Sequence, residues 1–170
     1  AGQVVFTRWD HLVRDRYAEL FPTHPAGVRA VIAPAAPVGP APRWRVRVGA
    51  ERACVAFAGT ALGHKGAAVF EALVAALRAA SSPLRFSAYG GGDPAILSRW
   101  RRLGIAVHGY YRAGTLPARL ASDGVDVVVL PSVVPESYGL VLSECRRAGV
   151  PVVAFDFGAI ADRVRASGGG

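Results

Sequence analysis

The sequence predicts an α/β fold: a doubly wound parallel sheet with helices on both of its faces. Two observations carry this. From residue 53 onward five strand-like segments alternate with five helix-like ones, and the strands read as continuous apolar runs. A strand wetted on one side alternates apolar with polar residues. A strand covered on both sides does not, and helices between parallel strands provide that cover. Composition agrees: 170 residues, 52% hydrophobic and 19% charged, can bury one ordinary core.

The elements follow in order. "QVVFT" (3–7) reads as a strand, and "WDHLVRDRYAELF" (9–21) as an amphipathic helix with Leu12, Val13, Tyr17 and Leu20 at helical spacing. "VRAVIAP" (28–34) is a second short strand. "APAAPVGPAPR" (33–43) is dense in proline, which cannot donate to a sheet ladder and biases its neighbour away from helix, so it reads as a linker. It separates a lead-in, residues 1–40, from a main domain, residues 41–170. There the strands are "ACVAFAG" (53–59), "PLRFSAYG" (83–90), "IAVHGY" (105–110), "VDVVVLPS" (125–132) and "VPVVAFD" (150–156). The helices are "GAAVFEALVAALRAA" (66–80), "DPAILSRWRRLG" (93–104), "TLPARLASD" (115–123), "GLVLSECRRAG" (139–149) and "AIADRVRAS" (159–167). Pro94 suits a first helical turn and Gly149 a helix end.

Composition also narrows the function. Apolar runs such as "VDVVVL" fall far short of the ~20 residues of a membrane span. The opening "AGQVVFTRWDHL" has no charged leader before an apolar block, so no signal peptide is expected; it also lacks a Met, as a piece of a longer chain would. Cys54 and Cys145 fall in an apolar strand and a helix, where buried structural thiols belong, and suit a reducing, cytoplasmic setting. His11, His24, His64 and His108 show no ligand spacing with each other or with the cysteines, so no metal is expected. The net charge of +8 favours an anionic partner. Yet Lys65 is the single lysine, and the arginines are scattered apart from "RWRVR" (43–47) and "RWRR" (99–102). The Trp in each cluster could stack on a base. A solvated face with the Trp turned inward explains the same pattern, and no nucleic-acid partner is expected. Membrane association is left open.

In a doubly wound sheet the ligand lies beyond the carboxyl ends of the strands. Those ends are the loops 59–66, 90–94, 108–114, 131–139 and 156–159. In "GTALGHKG" (59–66), Gly59 permits close backbone approach and Lys65 brings an ammonium to the next helix start, which together favour an anion. The spacing is not that of a P-loop, and an exposed lysine is the plainer alternative. "YGGGDPA" (89–95) contains G-x-G-x-x-A, but no acid follows at the end of the next strand to take a ribose; a tight strand-to-helix turn accounts for its glycines better. "PSVVPESYGLVLSE" (131–144) is the most informative stretch. Gly139 opens a helix, leaving the amides of Gly139, Leu140 and Val141 free for a phosphate. Glu136 lies just before that helix and could reach a polyol. Glu144, in its second turn, could accept two hydroxyl hydrogen bonds from a ribose. Taken singly, a dipole-compensating residue and a surface glutamate are the alternatives.

Together and in order, "FAGTALGHKG", "SAYGGGDP", "VHGYY", "VVVLPSVVPESYGLVLSECRRAGVPVVA" and "GAIADRV" resemble the C-terminal, donor-binding domain of family 4 glycosyltransferases, retaining enzymes of the two-domain GT-B architecture. The resemblance runs from about Ala53 to the end, and its most specific part is the E-x7-E pair, Glu136 and Glu144. Residues 1–36 are similar to the strand–helix–strand before the interdomain hinge. The resemblance implies a Rossmann-like fold and a hexose donor carried on a nucleoside diphosphate, such as UDP or GDP, with no cofactor. It implies that Lys65 neutralises the diphosphate, with Gly59 and Thr60 nearby, and that the amides around Ser137, Gly139, Leu140 and Val141 hold the same phosphates. Glu136 would contact and position the transferred sugar and Glu144 the ribose, while His108, Gly109 and Tyr110 would lie near the base.

The sequence departs from that family in three places. Thr60 stands where an arginine is usual, and Cys145 where an alanine is usual. The chain stops at "ASGGG", ahead of the strand and helices that normally finish the domain, and nearly all of the N-terminal acceptor domain is expected to be missing. Such a piece is expected to bind donor without turning it over. A non-catalytic nucleotide-sugar-binding domain, suggested by Thr60, and a nucleotide-sugar epimerase-like enzyme are the alternatives.

Overall fold

The computed structural model describes residues 52–136 and 138–167, together with two short strands, β1 (Val5–Phe6) and β2 (Arg29–Ala30). These two pair in parallel, Val5 with Arg29 and Phe6 with Ala30. The helix expected at 9–21, the proline-rich linker and the "RWRVR" cluster lie outside the described residues.

The alternation read from sequence is present throughout. β3 (Cys54–Ala58), β4 (Arg85–Tyr89), β5 (Ala106–Val107), β6 (Val127–Leu130) and β7 (Val152–Ala154) alternate with α1 (Ala67–Ala79), α2 (Pro94–Arg102), α3 (Leu116–Ser122), α4 (Leu140–Ala148) and α5 (Gly158–Ser167). The strands form one sheet in the order β5-β4-β3-β6-β7, every pair parallel. The fold is therefore the doubly wound, Rossmann-like one. β5 is shorter than its apolar pattern, because Gly109 takes φ +72° and turns the chain out of the ladder.

The central strand shows why both faces are needed. All five residues of β3 are buried, and they alternate between two cores. Cys54, Ala56 and Ala58 pack with Leu116 and Leu120 of α3 and Leu142 and Cys145 of α4. Val55 and Phe57 pack on the other side with Phe70 and Val74 of α1 and Trp100 of α2. Phe57, Phe70 and Trp100 meet in tilted and edge-to-face contacts with centroids 5.0–5.5 Å apart, each ring contributing about 2–3 kcal/mol of burial. Trp100 is thus fully buried, which settles the "RWRR" cluster in favour of an inward Trp among solvated arginines. Both cysteines are buried free thiols.

Local signals set the ends. Asp93 caps α2 by accepting the amides of Ala95 (2.7 Å) and Ile96 (3.4 Å), with Pro94 at the first turn, and Gly149 closes α4 in the left-handed region at φ +67°. No described helix is long and apolar enough to cross a membrane.

Candidate functional site

The strand order reverses between β3 and β6: α1, after β3, covers one face of the sheet, and α4, after β6, covers the other. The space beyond their carboxyl ends is the place a doubly wound sheet offers to a ligand. A cleft of about 960 Å³ lies there, lined by Gly59 and Thr60 after β3 and by Pro131 and Ser132 after β6.

Two loops are stitched together beside it. The loop after β3 ends in a 3-10 turn, Gly63–Lys65, which carries no periodic signature in the sequence. The carbonyl of His64 accepts both the amide of Val133 (3.0 Å) and the hydroxyl of Ser132 (3.1 Å). Gly66 sits at φ +78°, so near the second loop that a Cβ would fall 1.7 Å from the carbonyl oxygen of Pro131. Only glycine fits such a place. This clamp brings the Nζ of Lys65 to 3.0 Å from Oε1 of Glu136. Lys65 is therefore not a free surface lysine, and Glu136 is one half of an ion pair.

The start of α4 forms the adjoining wall. Gly139 precedes the helix at φ +73°, no side chain caps it, and no acidic residue lies in the first turn. A Cβ on Gly139 would sit 2.8 Å from Ile160 of α5, so the two helices meet closely here. The first amides of a helix lack internal partners and carry partial positive charge, a setting that suits an anion. Leu140, whose side chain is exposed, and Val141 also line the cleft.

Glu144 is not a surface glutamate; it is 9% exposed. Its Oε1 accepts the amide of Gly114 at 2.9 Å, and Arg147 approaches the same oxygen at 3.9 Å. One carboxylate oxygen is thus committed within the protein while the residue lines the cleft. Its charge is felt nearby. Burial first, and then Glu144, pushes the Tyr111 phenol up to about 12, and the same two causes push the Cys145 thiol up to about 12.

The loop after β5 divides. His108 stacks on Tyr89 with centroids 4.6 Å apart and its Nδ1 lies 4.0 Å from Asp123, whose carboxylate accepts the Tyr89 hydroxyl at 2.8 Å. Gly109 accepts the amide of Gly90 at 2.8 Å through its carbonyl. Neither lines the cleft, whereas Tyr110 and Tyr111 do. Tyr110 is 80% exposed and its ring lies against Gly91, where a Cβ would come within 2.0 Å of it.

The sequence model of a family described as glycosyl transferases group 1 matches residues 52–170, well over half of the chain. The chain belongs to that family. No curated protein matches it significantly. Among solved structures it is similar to a variant of TarM from S. aureus, determined with fondaparinux, α-GlcNAc-glycerol and UDP: 18% identity and TM-score 0.65 over 92% of this chain and 30% of that one. It is similar to the pneumococcal O-GlcNAc transferase GtfA, determined with UDP and GlcNAc, at 18% identity and TM-score 0.59 over 91% and 30%. HepE from Anabaena, determined with UDP and glucose, gives 21% identity and TM-score 0.53 over 66% and 32%. At these identities the likeness establishes the shared fold, and the chain spans about a third of the length of each structure.

In this group 1 glycosyltransferase chain the cleft collects Gly59, Thr60, Lys65, Tyr110, Glu136, Gly139, Leu140, Val141 and Glu144, and leaves out His108 and Gly109. Ser137 lies outside the described residues. Sequence reasoning missed Tyr111 and Tyr138, and it read Gly90 and Gly91 as turn formers only. Gly90 is needed for close approach, since its Cβ would fall 2.0 Å from the carbonyl oxygen of Gly59.

Proposed function

We propose that this chain is the donor-binding domain of a retaining, GT-B type glycosyltransferase of family 4. The complete enzyme transfers a hexose from a nucleoside diphosphate sugar to an acceptor held mainly by a second, N-terminal domain. The observation that carries the reading is the Lys65–Glu136 pair beside the uncapped start of α4, inside the switch-point cleft. A cation and free helix amides suit a diphosphate, and a carboxylate four residues before that helix suits the sugar attached to it.

The residues then act as follows. Lys65 and the amides near Gly139 and Leu140 hold the diphosphate. As the sugar–phosphate bond breaks, charge builds on the leaving oxygen, and donors already in place stabilise it without reorganising. Glu136, released when Lys65 turns to phosphate, accepts sugar hydroxyls and orients the ring. Glu144 offers its second oxygen to the ribose, and the base lies toward Tyr110. UDP is favoured as carrier, because TarM, GtfA and HepE were all determined with UDP. A reducing, cytoplasmic setting keeps Cys54 and Cys145 as thiols.

The test is calorimetric titration of the full chain and of Glu144→Ala with UDP, GDP and ADP and their glucose or mannose conjugates. One nucleotide is expected to bind, and the substitution to weaken it about ten- to a hundredfold, the loss of charge-assisted hydrogen bonds. A folded chain that binds none of them overturns the reading.

A further inference from the structure

Arg163, on α5, is 5% exposed, the one buried cation among the described residues. Its Nη1 donates to the carbonyl oxygens of Tyr138 (2.6 Å) and Gly139 (2.9 Å), and its Nη2 to the hydroxyl of Ser143 (2.7 Å). The guanidinium also lies over the Tyr138 ring, 4.1 Å from its centroid. Among the described residues no carboxylate pairs with it. Burying a charge without a counter-charge is unfavourable, and an apolar side chain of similar volume would fill the place without that penalty. Desolvation pulls its pKa down, yet a guanidinium keeps its proton in a protein.

We propose that Arg163 is a positioning residue for the diphosphate end of the cleft: its fork fixes two successive peptides so that the amides of Gly139 and Leu140 face the anion. The inference rests on the donor-site reading above. All peptides here are trans, and in a trans peptide the carbonyl and the following N–H point in opposite directions. Drawing the carbonyls of Tyr138 and Gly139 toward α5 therefore turns the amides of Gly139 and Leu140 away from α5. Both residues line the cleft. Gly139 is at φ +73°, a state that a glycine leaves readily; its own carbonyl also accepts the Leu142 amide at 3.1 Å, and the Tyr138–Gly139 peptide before it still needs a tether. The planar fork, with five donors in fixed directions, provides it, and a lysine could not hold both carbonyls and Ser143 in the same way. The unpaired charge behind the helix start adds to the field that favours an anion in front of it.

The test compares the nucleoside diphosphate that binds, UDP or GDP, with its nucleoside and with inorganic pyrophosphate, on the full chain and on Arg163→Met and Arg163→Lys. Folded Arg163→Met should bind diphosphate and pyrophosphate roughly tenfold or more weakly while nucleoside affinity stays within about twofold, and Arg163→Lys should fall between. Equal losses for nucleoside and diphosphate, or no loss in a folded variant, overturn the inference. Should Arg163→Met fail to fold, amide NMR of the unaltered chain decides: pyrophosphate must shift the Gly139 and Leu140 resonances, and unmoved resonances overturn the inference. Absence of any nucleotide binding to the unaltered chain would instead remove the donor-site reading, and this inference with it.

Discussion

Lys65 and Glu136, seventy-one positions apart in the sequence, form an ion pair of 3.0 Å with side chains 34% and 20% exposed. The pair joins the loop after β3 to the loop before α4, on either side of the strand-order reversal. Partly exposed pairs of this kind contribute about 0–1 kcal/mol. That is too little to justify the pair as a structural clasp, and little enough for an arriving phosphate to displace the carboxylate.

Two substitutions should therefore move diphosphate affinity in opposite directions. Lys65→Ala removes a cation and should weaken UDP or GDP by about tenfold or more. Glu136→Gln frees the lysine and should strengthen the bare nucleotide by up to about fivefold, the value of a weak ion pair. The same variant should erase whatever affinity the attached hexose adds. Calorimetry with nucleotide and nucleotide sugar side by side reads all three effects. Both variants weakening bare nucleotide equally would mean that the pair acts as a unit and does not open.

Glu144 holds Gly114 as well as lining the cleft, so its removal has two separable consequences. Glu144→Ala removes the acceptor of the Gly114 amide, in an exposed residue that water can reach, and should cost about 0.5–1.5 kcal/mol of stability. Glu144→Gln keeps an acceptor for that amide and should cost less, while still losing the charge. The lost charge has its own signature: the Tyr111 phenol, held up to about 12 by burial and then by Glu144, should titrate lower in Glu144→Gln. Ultraviolet titration of tyrosine measures it. An unchanged tyrosine profile would mean that burial alone sets that pKa.

Much of this was legible in the chain because the signals are local. Strand and helix patterns repeat within a few residues, so all five pairs of the main domain stand within about two residues of their expected ends, except the end of β5. Lys65, Glu136 and Gly139 were legible because a charged residue or a glycine at a strand's carboxyl end has few structural reasons to be there. The remainder depends on contacts between distant segments. The hold of Glu144 on Gly114 spans thirty positions, so the E-x7-E spacing marks Glu144 in the sequence without showing what its first oxygen binds. Arg163 lies in "ADRVRAS", where it looks like one of two solvated arginines; only the close approach of α5 to α4, set by Gly139 against Ile160, turns it inward.

Cys145 gives a dependence on pH. Burial and the Glu144 charge raise its pKa from 9.0 to about 12, so the folded state favours the neutral thiol. A raised pKa contributes stability that is complete below the unfolded value and is lost as pH rises through the folded one. Urea unfolding free energy should therefore fall between about pH 9 and about pH 12. Tyr111 acts in the same direction, from 10.0 to about 12. Cys145→Ala should lose the earlier part of this decline and retain the tyrosine part. An identical alkaline slope in the variant would assign the whole effect to other groups.

Gly66 and Gly91 are both sites where a β-carbon would collide, yet they should respond differently to alanine. At Gly66 the obstacle is backbone: the Pro131 carbonyl oxygen at 1.7 Å, in a residue already at φ +78°. Neither loop can retreat without breaking the hydrogen bonds that His64 accepts from Val133 and Ser132. Gly66→Ala combines left-handed strain with that separation and should cost about 3 kcal/mol or more. It should also draw Lys65 away from Glu136 and weaken diphosphate binding. At Gly91 the obstacle is the ring of Tyr110, which is 80% exposed and can swing into solvent. Gly91→Ala should therefore leave stability within about 1 kcal/mol while displacing the ring from the cleft wall. Denaturant midpoints and nucleotide titrations of both variants separate the two cases. A large stability loss in Gly91→Ala would mean that Tyr110 is fixed by its neighbours despite its exposure.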